Sequence, residues 1–249
     1  MSNLYKDLAP VYEAMYETFM DYDNELKFYS QILKKYNQLS VFEIGSGVGS
    51  LAKRFIESGF DYAGMDISDD MIALAQKALP QVTFTQGDMR YFNRIGGPIP
   101  NPVEAIIMVG RTISYLLTND DVMAAFHSVH SSLKEGGIFC FDAIDASKFI
   151  LSIDKNQVIV HNANHQGKSY SRESYFDLNL STGWTWDWRA DYFKIEDGEK
   201  KHIGDDFSTL RTFTEDEIKL FLKLNGLTVI ETIPKPSYAF DTLVYVVSK

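Results

Sequence analysis

The chain has 249 residues, 45% hydrophobic and 14% aromatic, which is enough for one sizeable core and fits a single α/β domain with an insertion. A formal net charge of −10, with no run of five or more Lys or Arg, argues against nucleic acid and anionic membranes as partners. The single cysteine, Cys140, excludes a disulfide framework and a thiolate metal cluster. With neither a signal pattern nor a membrane-spanning apolar run, we expect a cytoplasmic protein.

Apolar runs alternate with amphipathic stretches between residues 22 and 142, which predicts a parallel sheet with helices on both faces. Local signals support the helices, because Ser68 can cap one of them and Thr118 with Asp121 resembles a capping box before another. The strands are predicted at 40–44, 61–65, 81–86, 103–109 and 137–142, and the helices at 49–58, 69–78 and 120–133.

The pattern changes after the fifth strand. Residues 157–212 alternate with a period of two, which predicts a small antiparallel sheet inserted in the fold. One face of it carries Trp184, Trp186 and Trp188. We interpret this stripe as the buried face of the sheet or a dimer surface, with a substrate platform as the alternative. The oligomeric state is expected to be a monomer or a homodimer.

The end of the chain returns to the main sheet. Asp197-Gly198 marks a turn within the insertion, and a helix is predicted at 215–225. Two strands, at 228–233 and 242–247, are expected to pair at one edge of the sheet. The predicted fold is therefore a Rossmann-like, doubly wound, seven-stranded sheet, mostly parallel with an antiparallel last strand, plus the antiparallel insertion.

Residues 41–50 read VFEIGSGVGS, a strand that ends in Gly-x-Gly-x-Gly and opens directly into a helix. Glycines at such a turn let the backbone approach a ligand closely. The dinucleotide fingerprint would need a glycine at position 50, but that residue is Ser50 and the third glycine is Gly49. The spacing therefore disfavours a nicotinamide dinucleotide and an oxidoreductase.

Carboxylates stand at the carboxyl ends of the first three strands: Glu43, Asp66 and Asp88. Asp66 follows Gly45 by roughly 20 residues, the spacing at which a carboxylate reaches a ribose diol. An acidic crevice of this kind suits a ligand with hydroxyls, an exocyclic amine and a positive charge, and it repels a pyrophosphate. S-adenosylmethionine has that chemistry.

Four segments, VFEIGSGVGS, YAGMDIS, FTQGDMRYF and LKEGGIFCFD, resemble the successive motifs of class I S-adenosylmethionine-dependent methyltransferases. Within that class the chain is most similar to small-molecule enzymes such as sugar N,N-dimethyltransferases. The resemblance implies S-adenosylmethionine as cofactor, S-adenosylhomocysteine as product, and a small-molecule methyl acceptor. It favours in-line transfer to an amine nitrogen, with a hydroxyl or a small acid as the alternative acceptor.

The resemblance also implies roles for individual residues. The three glycines would line the methionine part of the cofactor, Asp66 would bind the ribose hydroxyls, and Ile67 would pack on the adenine. Asp88 and the Met89 backbone would read the adenine edge, and Tyr22 would bind the cofactor carboxylate. The full cofactor-binding set is Tyr22, Glu43, Gly45, Ser46, Gly47, Gly49, Asp66, Ile67, Met71, Asp88, Met89 and Val109.

Three residues are implied near the reaction centre: Tyr12, Tyr115 and Arg111. Arg111 departs from the small residue that the sugar enzymes carry there, so it either pairs with a local carboxylate or clamps an anionic group of the substrate. Tyr16 is interpreted as part of a packed helix face rather than as a cofactor contact.

The resemblance divides the chain into an N-terminal helical lid at 1–36, a cofactor-binding core at 37–145 and 213–249, and the insertion at 146–212. No metal site is expected, because His161 and His165 in a strand stand about 13 Å apart. No convincing general base is found in the sequence. A protein that binds S-adenosylmethionine without catalysis therefore stays as an alternative.

Overall fold

Two β-sheets organise the chain. The structure is a computed structural model, and it describes residues 11, 14–16, 18, 20–93, 102–154, 156–236 and 240–249. The helices with described bounds are α1 (Tyr22–Lys35), α2 (Ser50–Glu57), α3 (Asp69–Ala78), α4 (Asn119–Ser132), α5 (Ala146–Ser152) and α6 (Glu215–Leu224). Short 3₁₀ helices span Thr112–Tyr115 and Leu180–Thr182.

The main sheet contains β1 (Ser40–Ile44), β2 (Asp61–Asp66), β3 (Thr83–Gln86), β4 (Val103–Met108), β5 (Leu133–Ile144), β10 (Thr228–Lys235) and β11 (Thr242–Ser248). Its order is β10-β11-β5-β4-β1-β2-β3. The pairs among β1 to β5 are parallel, whereas β11 is antiparallel to both β5 and β10. This topology confirms the predicted seven-stranded Rossmann-like fold.

The direction of strand addition reverses between β1 and β4. Strand β1 pairs with β2 on one side and with β4 on the other, so the helices that follow them leave on opposite faces of the sheet. In open α/β sheets such a reversal leaves a crevice at the carboxyl ends of the two central strands. The glycine turn that follows β1 lies at that point.

Successive residues of the central strands pack into separate cores on the two faces of the sheet. Ile106 and Phe139 pack with Phe126 of α4, whereas Ile107 packs with Phe55 of α2 on the other side. Both faces are covered, which explains why these strands read as continuous apolar runs rather than alternating ones. Each fully buried side chain of this size contributes roughly 1.5–3 kcal/mol to folding.

The second sheet is antiparallel, with the order β6-β7-β8-β9. Its strands are β6 (Ile159–His165), β7 (Lys168–Leu178), β8 (Thr185–Glu196) and β9 (Glu199–Arg211). The expected turn at Asp197-Gly198 has positive φ at both residues, 52° and 83°, as a two-residue hairpin of type I′ requires. The predicted antiparallel insertion after the fifth strand is confirmed.

A buried arginine ties the second sheet to the core. Arg211, at the end of β9, donates from Nη2 to Asn119 Oδ1 at 2.9 Å and to Glu217 Oε1 at 3.2 Å. Glu217 also forms a capping box with Thr214 at the start of α6. One guanidinium therefore joins the last strand of the insertion to the beginnings of α4 and α6.

Strand β5 begins four residues before the predicted start at 137, so Gly136 lies inside the strand together with Gly137. Leu133 pairs with Val103 across a register irregularity. A Cβ at Gly137 would lie 2.9 Å from Glu104 O, so this close approach admits only glycine. Gly137 therefore permits the close approach of β5 to β4.

The predicted lid at 1–36 includes α1, while residues 1–10, Tyr12 and three neighbouring positions lie outside the described residues. The domain boundaries remain a prediction. Within the part of the chain that the structure describes, no helix is long and apolar enough to span a membrane.

Candidate active site

The glycine turn after β1 is packed at its two ends and open at its centre. Gly45, Gly47 and Gly49 have φ values of 79°, 54° and 81°, all in the left-handed region that favours glycine. A Cβ at Gly45 would lie 2.7 Å from Thr112 Oγ1, and one at Gly49 would lie 2.9 Å from Phe84 Cζ. A Cβ at Gly47 would meet nothing within 4 Å. The turn therefore forms a cradle with free space above its middle residue.

The Asp66 carboxylate holds this turn against the end of β2. Its Oδ2 accepts the Gly47 N–H at 2.9 Å, and its Oδ1 accepts the Ser68 N–H at 2.9 Å. Burial raises the pKa of Asp66, while these backbone N–H groups lower it. A carboxylate has about four lone-pair sites, so Asp66 can still accept hydrogen bonds from hydroxyls placed above the turn.

Glu43 is a buried acid beneath the same turn. It is 5% exposed, and Oε2 accepts a hydrogen bond from the Tyr62 hydroxyl. Burial raises the pKa of Glu43 to about 8, and the negative charge of Asp66 acts in the same direction. The carboxyl is therefore largely protonated at neutral pH, so the acidic crevice expected from the sequence carries less negative charge than its three acids suggest.

Asp88 is engaged by an arginine that follows it. Arg90 donates from Nε to Oδ1 at 3.0 Å and from Nη2 to Oδ2 at 2.6 Å, and its Nη1 reaches Asp121 Oδ1 at 2.7 Å. These hydrogen bonds from Arg90 lower the pKa of Asp88 and keep it ionised. The role of Asp88 toward an adenine amine remains a prediction.

The apolar members of the predicted cofactor set differ in exposure. Ile67 is 54% exposed beside Asp66, as a side chain that packs on a planar ring must be. Tyr22 is half-buried and has the Arg54 guanidinium 5.3 Å from its ring centroid. Of the remaining members, Ser46, Met71 and Val109 are buried and Met89 is partly buried. Their contacts with a cofactor remain predictions.

An open cavity lies between the segment that follows β4 and the second sheet, with about 630 Å³ of space free of protein atoms, including the solvent at its mouth. Arg111 and Tyr115 line it from the core, and Arg172, Trp186 and Trp188 line it from β7 and β8. The position of Arg111 and Tyr115 on this wall does not test their predicted place at the reaction centre. Of the predicted tryptophan stripe, Trp186 is buried, Trp184 is 39% exposed, and Trp186 and Trp188 line the cavity.

Arg111 occupies a constrained backbone position. Its φ is 65°, and its N–H donates to Oδ1 of the buried Asp142 at 2.9 Å. A non-glycine residue in this region costs of the order of 1 kcal/mol or more, which the hydrogen bond offsets. The Arg111 backbone N–H thus contacts a carboxylate, and the guanidinium lies 5.9 Å from the Phe240 ring centroid on the cavity wall. The choice between a structural ion pair and a substrate clamp for the side chain remains a prediction.

The other two residues expected at the reaction centre differ in how they are placed. Tyr115 is 49% exposed at the end of a 3₁₀ helix on the cavity wall. Tyr12 lies outside the described residues. The catalytic roles of both tyrosines remain predictions.

Two residues that the sequence did not single out as a pair meet in the cavity. His161 and Arg172 are opposite each other in the β6–β7 ladder, with Arg172 Nη2 3.2 Å from His161 Nδ1. Burial, with the Arg172 charge in addition, lowers the pKa of His161 to about 4. Because arginine only donates, Nδ1 must be the acceptor, and the proton of the neutral ring is on Nε2. The neutral His161 ring is therefore a hydrogen-bond donor through Nε2.

Sequence signals could have found this pair. Gln166-Gly167 forms a two-residue turn with φ of 50° and 74°, and that turn fixes the register of β6 against β7.

Among the described residues, no group of three or more His, Cys, Asp and Glu is arranged to hold a metal ion.

Comparisons with known proteins agree with this geometry. Residues 41–137 match the methyltransferase domain family. The structure of Streptomyces venezuelae DesVI superposes with a TM-score of 0.81 at 23% identity, covering 96% of this chain and 98% of that one. S-adenosylmethionine-bound CalS10, an amino pentose methyltransferase from Micromonospora echinaspora, gives 0.78 at 19% identity and 96% coverage of both chains.

Some sequence relatives match over only part of the chain. A Streptomyces venezuelae dTDP-3-amino-3,4,6-trideoxy-α-D-glucopyranose N,N-dimethyltransferase is 33% identical over 99 residues, 40% of this chain and 40% of its own. The match to a Bacillus subtilis relative, 28% identical over 148 residues, spans 58% of this chain and 57% of that relative. Residues 41–137 thus match the kind of domain that the sequence predicts, a methyltransferase domain. The superposed structures agree with this chain in fold.

Alanine substitutions at Gly45 and Gly47 should distinguish a glycine that is needed for packing from one that faces the space for a ligand. Gly47→Ala adds a Cβ in open space, so it should cost only the roughly 1–2 kcal/mol of the left-handed backbone while lowering S-adenosylhomocysteine affinity. Gly45→Ala should lower the melting temperature further, since its Cβ collides with Thr112. Thermal unfolding and calorimetric titration measure both; equal stability of the two variants would contradict the packing described.

Glu43 should make stability depend on pH. Its folded-state pKa of about 8 lies above the ordinary value of 4.5, so its stabilising contribution is complete below 4.5 and is lost as pH rises through 8. Glu43→Gln imitates the protonated acid and should raise the melting temperature relative to wild type at about pH 9 far more than at about pH 5. Glu57→Gln, an exposed position, is the control. A difference independent of pH would refute the assignment.

Proposed function

We propose that this protein transfers a methyl group from S-adenosylmethionine to an amine nitrogen of a small molecule bound in the cavity. The observation that carries the proposal is the position of residues 110–115. On one side of this segment Thr112 packs against Gly45 of the cradle, and Arg111 and Tyr115 line the cavity. A ligand on the turn and a ligand in the cavity would therefore be neighbours across this segment.

The cofactor side is built to hold an adenosyl ligand. Asp66 would accept the ribose hydroxyls, the exposed Ile67 would cover the adenine, and the open centre at Gly47 would admit the methionine portion. When bound, S-adenosylmethionine supplies an electrophilic methyl group on a sulfonium. The protein's main contribution is then orientation of the acceptor, which can supply roughly 7–11 kcal/mol of the barrier reduction.

The acceptor side favours nitrogen over oxygen. A neutral amine already has the lone pair that attacks, whereas a poorly acidic hydroxyl needs a positioned general base. The titratable side chain on the cavity wall closest to that role is His161, but its Nδ1 is occupied by Arg172 and its Nε2 carries a proton. The N,N-dimethyltransferase and amino pentose methyltransferase named among the similar proteins act on nitrogen according to their names, which supports the same choice.

Asp66 gives a direct test of the cofactor site. Asp66→Asn should weaken S-adenosylhomocysteine binding by about tenfold or more, since hydrogen bonds to a charged acceptor contribute roughly 1.5–3 kcal/mol. Asp61→Asn, at the opposite end of β2 and exposed, is the matched control and should bind as wild type. Isothermal titration measures all three proteins. Wild-type affinity in Asp66→Asn would remove this residue from the site.

Methyl transfer itself is tested with tritium-labelled S-adenosylmethionine. The full chain is incubated with an extract of small metabolites before and after acetylation of its amines. We expect label in product only when free amines are present. Label that survives acetylation would indicate an oxygen acceptor, and no label in either sample, despite cofactor binding, would favour a binding protein without catalysis.

A further inference from the structure

The cavity wall is rich in hydrogen-bond donors. Besides the two guanidinium groups of Arg111 and Arg172 it contains the His161 ring, whose neutral form donates from Nε2. Within the described part of the chain, no Asp or Glu lines this cavity, although the protein has a net charge of −10. The wall is thus positively charged inside an acidic protein.

Three further polar groups belong to cavity-lining residues and have no hydrogen-bond partner among the described residues. They are the hydroxyls of Ser114 and Ser174 and the indole N–H of Trp186. Each of these side chains is 2% exposed. A buried polar group left unsatisfied costs roughly 1–3 kcal/mol, so hydrogen bonds from a ligand or a bound water to these three groups would stabilise the protein. The indole N–H donates hydrogen bonds and cannot accept them, and the same holds for the guanidinium groups of both arginines.

The position of Arg172 is fixed before any ligand arrives. It is 4% exposed, and its guanidinium lies 5.7 Å from the Trp188 ring centroid and 5.9 Å from that of Tyr16. Its hydrogen bond to His161 sets the orientation of the planar fork. Ser174 follows two residues later on the same face of β7, so a hydroxyl stands beside this guanidinium. An arginine held in this way is preorganised for a carboxylate or a phosphate.

We infer that the methyl acceptor carries an anionic group, a carboxylate or a phosphate, which Arg172 and Ser174 bind with Arg111 on the facing wall. The inference rests on the proposed function, since it assigns the acceptor of that reaction to the class of acidic amines. A cationic amine without an acid would meet two positive charges in the cavity, so such amines are poor substrates. The anion neutralises that charge and leaves the amine free to approach the cofactor.

The tryptophans provide a direct readout. The chain contains three, at positions 184, 186 and 188, and two of them line the cavity. The full chain, saturated with S-adenosylhomocysteine, is titrated with phenyl phosphate, benzoate and neutral benzamide while tryptophan fluorescence is recorded. We expect saturable quenching by at least one anion, at least about tenfold tighter than by benzamide, the equivalent of 1.4 kcal/mol. The tighter anion identifies phosphate or carboxylate as the preferred group; benzamide binding as tightly as both overturns the inference.

Variants locate the binding. Arg172→Lys keeps the charge but loses the fork, and Arg111→Gln keeps the backbone N–H that bonds Asp142; each should weaken anion binding about tenfold or more. Arg189→Gln is the control, because that side chain is 57% exposed and does not line the cavity. Unchanged anion affinity in both cavity variants overturns the inference, as does an equal loss in the control. If Arg172→Lys does not fold, Arg111→Gln decides alone.

Calorimetry with S-adenosylhomocysteine on the same proteins separates the two proposals. Cofactor affinity should stay within about twofold of wild type in every folded variant, since none of the substituted arginines touches the glycine turn. Loss of cofactor binding by the wild type would refute the proposed function itself. Cofactor binding without anion binding would refute only the anionic subsite.

Discussion

The hydrogen bond from the Arg111 backbone to the buried Asp142 carboxylate fixes the segment on which both halves of the site depend. It holds residue 111 in a left-handed conformation at the carboxyl end of β4. The following residues then place Thr112 against the glycine turn and Tyr115 on the cavity wall. Burial raises the pKa of Asp142, and the nearby positive charge of Lys235 opposes that effect. A single carboxylate in β5 thus sets the geometry of a boundary between two ligand spaces.

The two spaces have opposite electrostatic character. The crevice at the ends of β1, β2 and β3 contains carboxyl groups, one of them ionised by its arginine partner and another largely protonated through burial. The cavity on the far side of residues 110–115 contains guanidinium groups and N–H donors. A cationic cofactor and an anionic acceptor would each be attracted to its own side, so binding in the wrong space is opposed by charge as well as by shape.

Local patterns in the sequence were sufficient for the main sheet. The positions of most strands, the pairing of the last two strands and the inserted sheet follow from apolar periodicity, caps and turn residues, each of which acts over a few positions. The glycine turn could be located by spacing alone.

The start of β5 could not be predicted from local patterns, because Gly137 packs against a backbone carbonyl of β4 that is distant in sequence. The hydrogen bond from Arg90 to Asp121 and the one from Arg111 to Asp142 likewise join residues that are distant in sequence and that only the folded chain brings together. The pairing of His161 with Arg172 needed the register of a hairpin whose turn, Gln166-Gly167, had not been recognised.

The second sheet is a meander joined in part by two-residue turns and anchored to the core through Arg211. Its inward positions alternate with outward ones, so Arg172, Ser174 and Phe176 face the cavity while their neighbours face away. A replacement at one inward position changes the acceptor wall without touching the strands that carry the glycine turn. Substitutions in the second sheet can therefore change what the cavity binds without changing the glycine turn. Protein engineering or natural selection can act on the cavity while the cradle stays the same.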